Sequence, residues 1–204
     1  MIASAHPFEP GTTGWSAADF DNRQFAQEWD AGRYEIVEGV LTRMPPPAYF
    51  GNKKLQRLIY FVEQYLHESG RSGAFAQDVD LVLADARVVR PDAVFLTPDD
   101  ERRQREAFVA AGISEHQGRL TLPPTLIIES LSHGHEAHDS ITKRRWYAEF
   151  QVPHYWLFDP FGETLECLVL SDRDYRSDHL ARGNADVRPS LFPGINLNLK
   201  AICT

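Results

Sequence analysis

Two acidic residues stand where their neighbours are apolar. Asp92 interrupts "RPDAVFL" (residues 90–96), and Glu129 sits inside "PTLIIESLS" (residues 124–132). Both runs read as strands, and a carboxylate buried in a strand is costly unless it is paired or bound to a metal. Pro91 cannot donate to a sheet ladder, so Pro91 and Asp92 together mark a strand bend. Hard divalent cations such as Mg²⁺ take oxygen ligands, commonly one or two carboxylates together with substrate phosphates. Taken singly, each acid is as well explained by a strand end, where it faces water or meets an arginine. Two of them on neighbouring strands are less easily explained separately.

A cation with a suitable spacing follows. Asp139, Lys143 and Tyr147 are four residues apart in "HDSITKRRWYAEF", so they share one helix face. If that face looks back at the sheet, Lys143 brings an ammonium to the two carboxylates, where it can orient a water and stabilise charge developing on a phosphate. The alternative is an exposed Asp139–Lys143 pair contributing a few tenths of a kcal/mol. A separate cluster points to other chemistry. "SHGHEAHD" holds His133, His135 and His138, and imidazoles prefer Zn²⁺, Ni²⁺ or Cu²⁺, which keeps a His-ligated zinc-type hydrolase as a rival. The glycine in that stretch breaks the helical spacing of HExxH, which favours a flexible, solvated histidine loop over a metal site.

The elements that must position these residues can be read from periodicity. Residues 1–15, rich in proline, glycine and small residues, predict a flexible arm, and residues 16–204 a single domain. Ser16 with Asp19 forms a capping-box signal for a short helix, after which "YEIVEGVLTRM" reads as a hairpin. "PPPAYFG" is a break. Beyond it Leu55, Leu58, Ile59, Val62, Tyr65 and Leu66 recur at helical spacing, with Gly70 as the stop. "QDVDLVLA", "RVVRPDAVFL", "PTLIIESLS", "HYWLFDP" and "TLECLVL" predict strands, with a charged, weakly helical peripheral excursion between the second and third, and the tail predicts a last strand that docks back. This order indicates an α/β (α+β) fold with helices around a mixed sheet.

Composition sets the surroundings. A hydrophobic fraction of 43% and a charged fraction of 25% are those of an ordinary globular protein. Cys167 and Cys203 offer neither a disulfide framework nor a metal-ligand spacing, which fits a reducing cytoplasm. No signal-peptide pattern and no run of about 18 apolar residues is present, so no membrane partner is expected. The net charge of −8 argues against general nucleic-acid binding but leaves room for a local basic groove, for which residues 53–57, 102–105 and 143–145 are candidates.

The ordered set "YEIVEG", "RPDAVFL", "PTLIIESLS", "HDSITKRRWY", "VPHYWLFDP" and "LFPGINLNL" resembles the Uma family of proposed restriction endonucleases, a branch of the PD-(D/E)XK nuclease superfamily, over about residues 16–202. The resemblance implies a restriction-endonuclease-like core and Mg²⁺-dependent phosphodiester hydrolysis, with Mn²⁺ able to substitute. Asp92 matches the aspartate of the PD motif and Glu129 the acid of the (D/E)XK motif, both as metal ligands. The motif lysine belongs two residues after the acid, where this chain has Leu131. Lys143 matches the lysine that has migrated to the following helix in similar proteins. Glu38 matches the family's acidic position in the first hairpin, and Tyr147 and Ser132 are implied as supports. Where the family commonly has a histidine at the start of the long helix, this chain has Asn52, which cannot act as acid or base. The implied partners are double-stranded DNA and a second copy of the chain. The competing reading is a non-catalytic module that keeps the nuclease scaffold for binding or assembly, which the acidic charge, Asn52 and Leu131 all permit.

Overall fold

The computed structural model of the protein describes residues 7–115, 118–131 and 136–204. Its centre is a six-stranded sheet built from β3 (Ala74–Ala76), β6 (Ala93–Leu96), β7 (Leu126–Ser130), β8 (His154–Asp159), β9 (Thr164–Ser171) and β10 (Asp174–Arg182), in the order β10-β9-β8-β7-β6-β3. The β7–β8 pair is parallel and the other neighbours are antiparallel, so the sheet is mixed. A parallel pair needs a crossover, and α4 (Glu136–Glu149) provides it. A four-stranded sheet in the order β2-β1-β5-β4 stands beside it, from β1 (Tyr34–Val37), β2 (Val40–Arg43), β4 (Leu81–Ala84) and β5 (Arg87–Val89).

Strand alternation explains the layers. Ala93, Phe95, Leu126, Ile128, Trp156 and Phe158 face one side of the large sheet, where the long helix α2 (Tyr49–Glu68) covers them with Leu55, Leu58, Val62 and Leu66. Each fully buried side chain of this kind contributes about 1.5–3 kcal/mol. The short helix α5 (Leu199–Cys203) and the two-stranded ribbon of β11 (Asp186–Val187) and β12 (Leu197–Asn198) complete that layer. Val94, Leu96, Ile127, Tyr155 and Leu168 face the other side and meet Trp146, Tyr147 and Ala148 of α4. The same cluster includes Leu81 and Val89 of the small sheet, so α4 lies between the two sheets. The far side of the small sheet buries Ile36, Leu41 and Val88 against Trp15, Phe25 and Trp29, the last two on α1 (Arg23–Asp30).

Two expectations change. "RVVRPDAVFL" is two strands in different sheets, β5 ending at Val89 and β6 starting at Ala93, because Pro91 lacks the N–H that would carry one ladder through. The predicted arm of residues 1–15 does not describe residues 7–15. The Trp15 side chain is 2% exposed, Gly11 and Trp15 donate backbone hydrogen bonds to Leu41 and Gly39, and Phe8 packs edge-on against Trp15, Phe25 and Tyr34. The aromatic residues, which the small-residue composition masks, fasten the segment to the first hairpin. The excursion is helical as expected, containing α3 (Pro98–Ala111), opened by a capping box of Thr97 and Asp100 and closed by Gly112 at φ 68°.

Candidate active site

The antiparallel register of β6 and β7 pairs Ala93 with Ile128. One step further, Asp92 comes opposite Glu129, and opposed residues point to the same face. That face is the one α4 covers. The bend at Pro91 therefore sets Asp92 at the mouth of β6, while Glu129 stands one residue before the end of β7. Both acids, with Ser130, Leu131 and Lys143, line a cavity of about 150 Å³ whose opposite wall is the start of α2 and the preceding prolines.

Each carboxylate is held by one oxygen. The Ser130 N–H donates to Asp92 Oδ2 at 2.8 Å, and the Tyr147 hydroxyl donates to Glu129 Oε1 at 2.5 Å. Lys143 is 3% exposed and reaches between the sheets, with Nζ 3.5 Å from Glu129 Oε1 and 2.9 Å from Glu35 Oε1. Glu35 lies on β1 of the small sheet and also accepts the Arg90 N–H at 3.0 Å. Among the described residues, Asp92 Oδ1 and Glu129 Oε2 have no hydrogen-bond donor, so each acid keeps one oxygen for the cavity.

The electrostatics follow from this count of charges. Burial pushes the Glu129 carboxyl up to about 8, and Asp92 and Glu35 push the same way against the opposing pull of Lys143 and Tyr147. Burial also raises Asp92, partly offset by the Ser130 N–H and Lys143. Tyr147 is raised well above its ordinary value by burial and by Glu129, so it remains a hydrogen-bond donor. Lys143 is the cation in contact with Glu35 and Glu129, and the guanidiniums of Arg33 and Arg90 line the same cavity, with Arg33 also favouring the charged form of Asp92.

The structure brings together Asp92, Glu129 and Lys143, with Tyr147 in support, as the sequence predicts. Lys143 is buried and not on the surface, and the side chain of Asp139, its partner in the alternative reading of the sequence, lies outside the described residues. Asn52 and Leu131 line the same cavity, so Lys143 enters from α4 the space that a lysine at position 131 would serve. Glu38 is not brought to this site. With Gly39 it forms the two-residue turn of the first hairpin, at φ 49° and 79°, and it is half-exposed and paired with Arg87 at 2.8 Å. Arg87 also bonds Glu149 and lies 5.2 Å from the Trp146 ring centroid, so Glu38 clips the hairpin to α4. Glu35 is the acid of "YEIVEG" that reaches the cluster. The signal for it was available, because the rule that selects Asp92 and Glu129, an acid inside a strand, selects Glu35 over an acid beside a turn glycine. Ser132, His133 and His135 lie outside the described residues, as do the side chains of His138 and Asp139.

Residues 18–200 match the family model of Uma2, described as a putative restriction endonuclease. The chain belongs to that family. No curated protein matches it. The Uma2 chain is similar to a solved structure described as a putative nuclease of DUF820 from Anabaena variabilis ATCC 29413, at 16% identity and TM-score 0.62, over 84% of this chain and 91% of that one. At that identity the likeness shows the fold, a mixed sheet between helices. Both descriptions name a nuclease. Restriction-endonuclease-like families generally work with a divalent metal, and the donor set in this Uma2 chain suits one. It offers two neighbouring carboxylates, each held by one oxygen, at the wall of the cavity. Among the described residues no group of three or more His, Cys, Asp or Glu is arranged around a metal position. A pair of carboxylates is the set that leaves most of the coordination sphere to water and phosphate. No helix among the described residues is long and apolar enough to cross a membrane.

Proposed function

We propose that this Uma2 chain is a metal-dependent endonuclease that hydrolyses phosphodiester bonds of DNA, with Mg²⁺ as the resident ion and Mn²⁺ able to replace it. The observation that carries the reading is the pairing of Asp92 and Glu129 at one cavity, each fixed by one oxygen and open at the other. Asp92 and Glu129 would hold the ion. When bound, a divalent ion supplies polarisation of the phosphate and a more acidic water. Lys143 places its ammonium where negative charge builds on the phosphoryl oxygens. Glu35 is a positioning residue, since its 2.9 Å contact holds Lys143, and Tyr147 fixes the rotamer of Glu129 in the same way. In the net reaction the water oxygen bonds to phosphorus, the ester P–O bond breaks, and the leaving strand keeps a hydroxyl.

The finer parts of the reading are chemical expectations. A double-stranded substrate suits a homodimer that presents one cavity to each strand, and sedimentation with and without DNA tests it. Cys167 and Cys203 are free and buried, in keeping with a cytoplasmic setting.

The test is cleavage of methylated and unmethylated genomic DNA, plasmid DNA and structured RNA by wild type, Asp92→Ala and Glu129→Ala, in Mg²⁺, Mn²⁺ or chelator. DNA cleavage that needs the metal and both carboxylates is expected. Cleavage that survives chelator or either substitution would overturn the proposal. Binding of DNA with no cleavage across the panel would make the chain a binding module on a nuclease scaffold.

A further inference from the structure

The outer face of α2 carries a pattern that the cavity chemistry does not use. Phe50, Lys53, Arg57 and Tyr60 recur at steps of three and four residues, so they form one stripe along the first three turns, opposite Leu55, Leu58 and Val62. Tyr49, Phe50 and Tyr60 are 74%, 64% and 60% exposed, and the rings of Tyr49 and Phe50 meet edge to face with centroids 5.1 Å apart. The helix has no acid before Glu63. Among the described residues, neither Lys53 nor Arg57 has an ion-pair partner, although the chain as a whole carries a net charge of −8. The stripe begins at the cavity, because Ala48, Gly51 and Asn52 of the same stretch line its wall.

Exposed rings of this size serve either a protein or a nucleic acid. The centres of protein interfaces are depleted in lysine. Alternating rings and unpaired cations are instead the make-up of surfaces that track a nucleic-acid strand, where phosphates meet Lys and Arg and bases stack on aromatic side chains. In an intact duplex the base faces are covered by their neighbours, so an exposed ring gains a stacking partner only from an unpaired base.

We infer that the outer face of α2 is the track for a DNA strand with unpaired bases. Phe50 and Tyr49 stack on the base nearest the cavity, Lys53 and Arg57 contact the next phosphates, and Tyr60 stacks further along. The rise from Phe50 to Tyr60 is about 15 Å, enough for several nucleotides. The inference rests on the nuclease reading above and narrows it, because the favoured substrate is DNA that is single-stranded or opened at the cut.

Fluorescence anisotropy in chelator tests the track apart from catalysis. The probes are a labelled oligodeoxythymidine of about 20 nucleotides and the same strand paired with oligodeoxyadenosine. Wild type is expected to bind the single strand at least about ten-fold tighter than the duplex. The double variant Tyr49→Ala/Phe50→Ala is expected to lose about ten-fold or more on the single strand and little on the duplex, and Phe50→Trp to bind as wild type does. Lys53→Ala/Arg57→Ala should weaken both and reduce the salt slope by about 0.7 for each phosphate that the protein no longer neutralises. Tyr49, Phe50 and Lys53 are exposed and Arg57 is partly exposed without an ion-pair partner among the described residues, so thermal melting should change little in any variant. Equal affinity for the two probes, full single-strand affinity in the aromatic double variant, or no binding by wild type would overturn the inference. Asp92 and Glu129 are untouched and no metal is present, so strand binding without cleavage in metal would overturn the nuclease reading and leave the track standing.

Discussion

Asp80 and Glu129 are both carboxylates packed among core side chains, and their surroundings differ in one respect. Asp80 accepts from the Trp29 indole at 2.7 Å and from Arg90 at 2.8 Å, and Arg119 lies 3.3 Å away. Two guanidiniums and an indole surround a single acid, and the result is a cross-brace between α1, β4 and β5. Glu129 shares one ammonium with Glu35 while Asp92 adds further negative charge, and its carboxyl is pushed up to about 8. A buried acid whose charge is fully compensated holds a fold together. One whose charge is not compensated is poised to receive a cation or a proton.

The largest effect expected from this contrast is on catalysis. Asp92→Asn and Glu129→Gln each keep the shape and remove the charge, and DNA cleavage should fall by about a thousand-fold or more. A gel-based rate assay on the same substrate checks it. Asp80→Asn should leave cleavage chemistry in place but lower the free energy of urea unfolding by about 3–5 kcal/mol, because it strands Arg90 and Arg119 without their carboxylate. Glu129→Gln in the absence of metal should act in the opposite direction at alkaline pH and raise the urea midpoint. The same sign for both substitutions would break the contrast.

The pH dependence sharpens it. The folded Glu129 carboxyl binds its proton more tightly than an ordinary glutamic acid near 4.5, so metal-free stability should be greatest at the acid end of that window. It should fall as pH rises from about 4.5 to about 8 and then level off. The slope should disappear in Glu129→Gln. Asp100 has the reverse sign. Its carboxyl is buried in part, yet hydrogen bonds from Thr125, Thr97 and Arg103 outweigh burial and hold it below its ordinary value. Its contribution is therefore present at neutral pH and lost only as acid takes the solution below about 3.8. Thermal melts across pH on wild type, Glu129→Gln and Asp100→Asn separate the two slopes.

The smallest effect belongs to Glu38. Its pair with Arg87 is half-exposed, so Glu38→Ala should cost less than about 1 kcal/mol and leave cleavage unchanged. Glu35→Gln should lower cleavage by about ten-fold to a hundred-fold by loosening Lys143 and should shift its pH profile.

The parts of the site that were legible in the sequence were those where a charge broke a pattern. Asp92 and Glu129 stand in apolar runs, and Lys143 recurs with Tyr147 on one face of a helix. Glu35 escaped because "YEIVEG" holds two acids and the resemblance singles out the one beside the glycine, whereas the strand acid is the one in contact with Lys143. Most of the central sheet was legible because β6 to β9 read as largely apolar runs, fully buried in β6 and partly so in β7, β8 and β9. β10 was not, although it pairs along the length of β9. It is an edge strand with the sequence "DYRSDHLAR", in which only Tyr175 and Ala181 are buried, so no run or clean alternation announces it. The division of residues 87–96 between two sheets depends on what each half pairs with, which no local pattern records.

The most direct measurement is calorimetric titration of Mn²⁺ into wild type, Asp92→Ala, Glu129→Ala and Glu38→Ala, each first shown to be folded. Binding at one site in wild type and Glu38→Ala, tightening as pH rises toward 8 while the metal displaces the Glu129 proton, and no binding in the other two variants, is the predicted result. Binding that survives in Asp92→Ala or Glu129→Ala, or its absence from wild type even with DNA present, would contradict the assignment of these two carboxylates as the metal site.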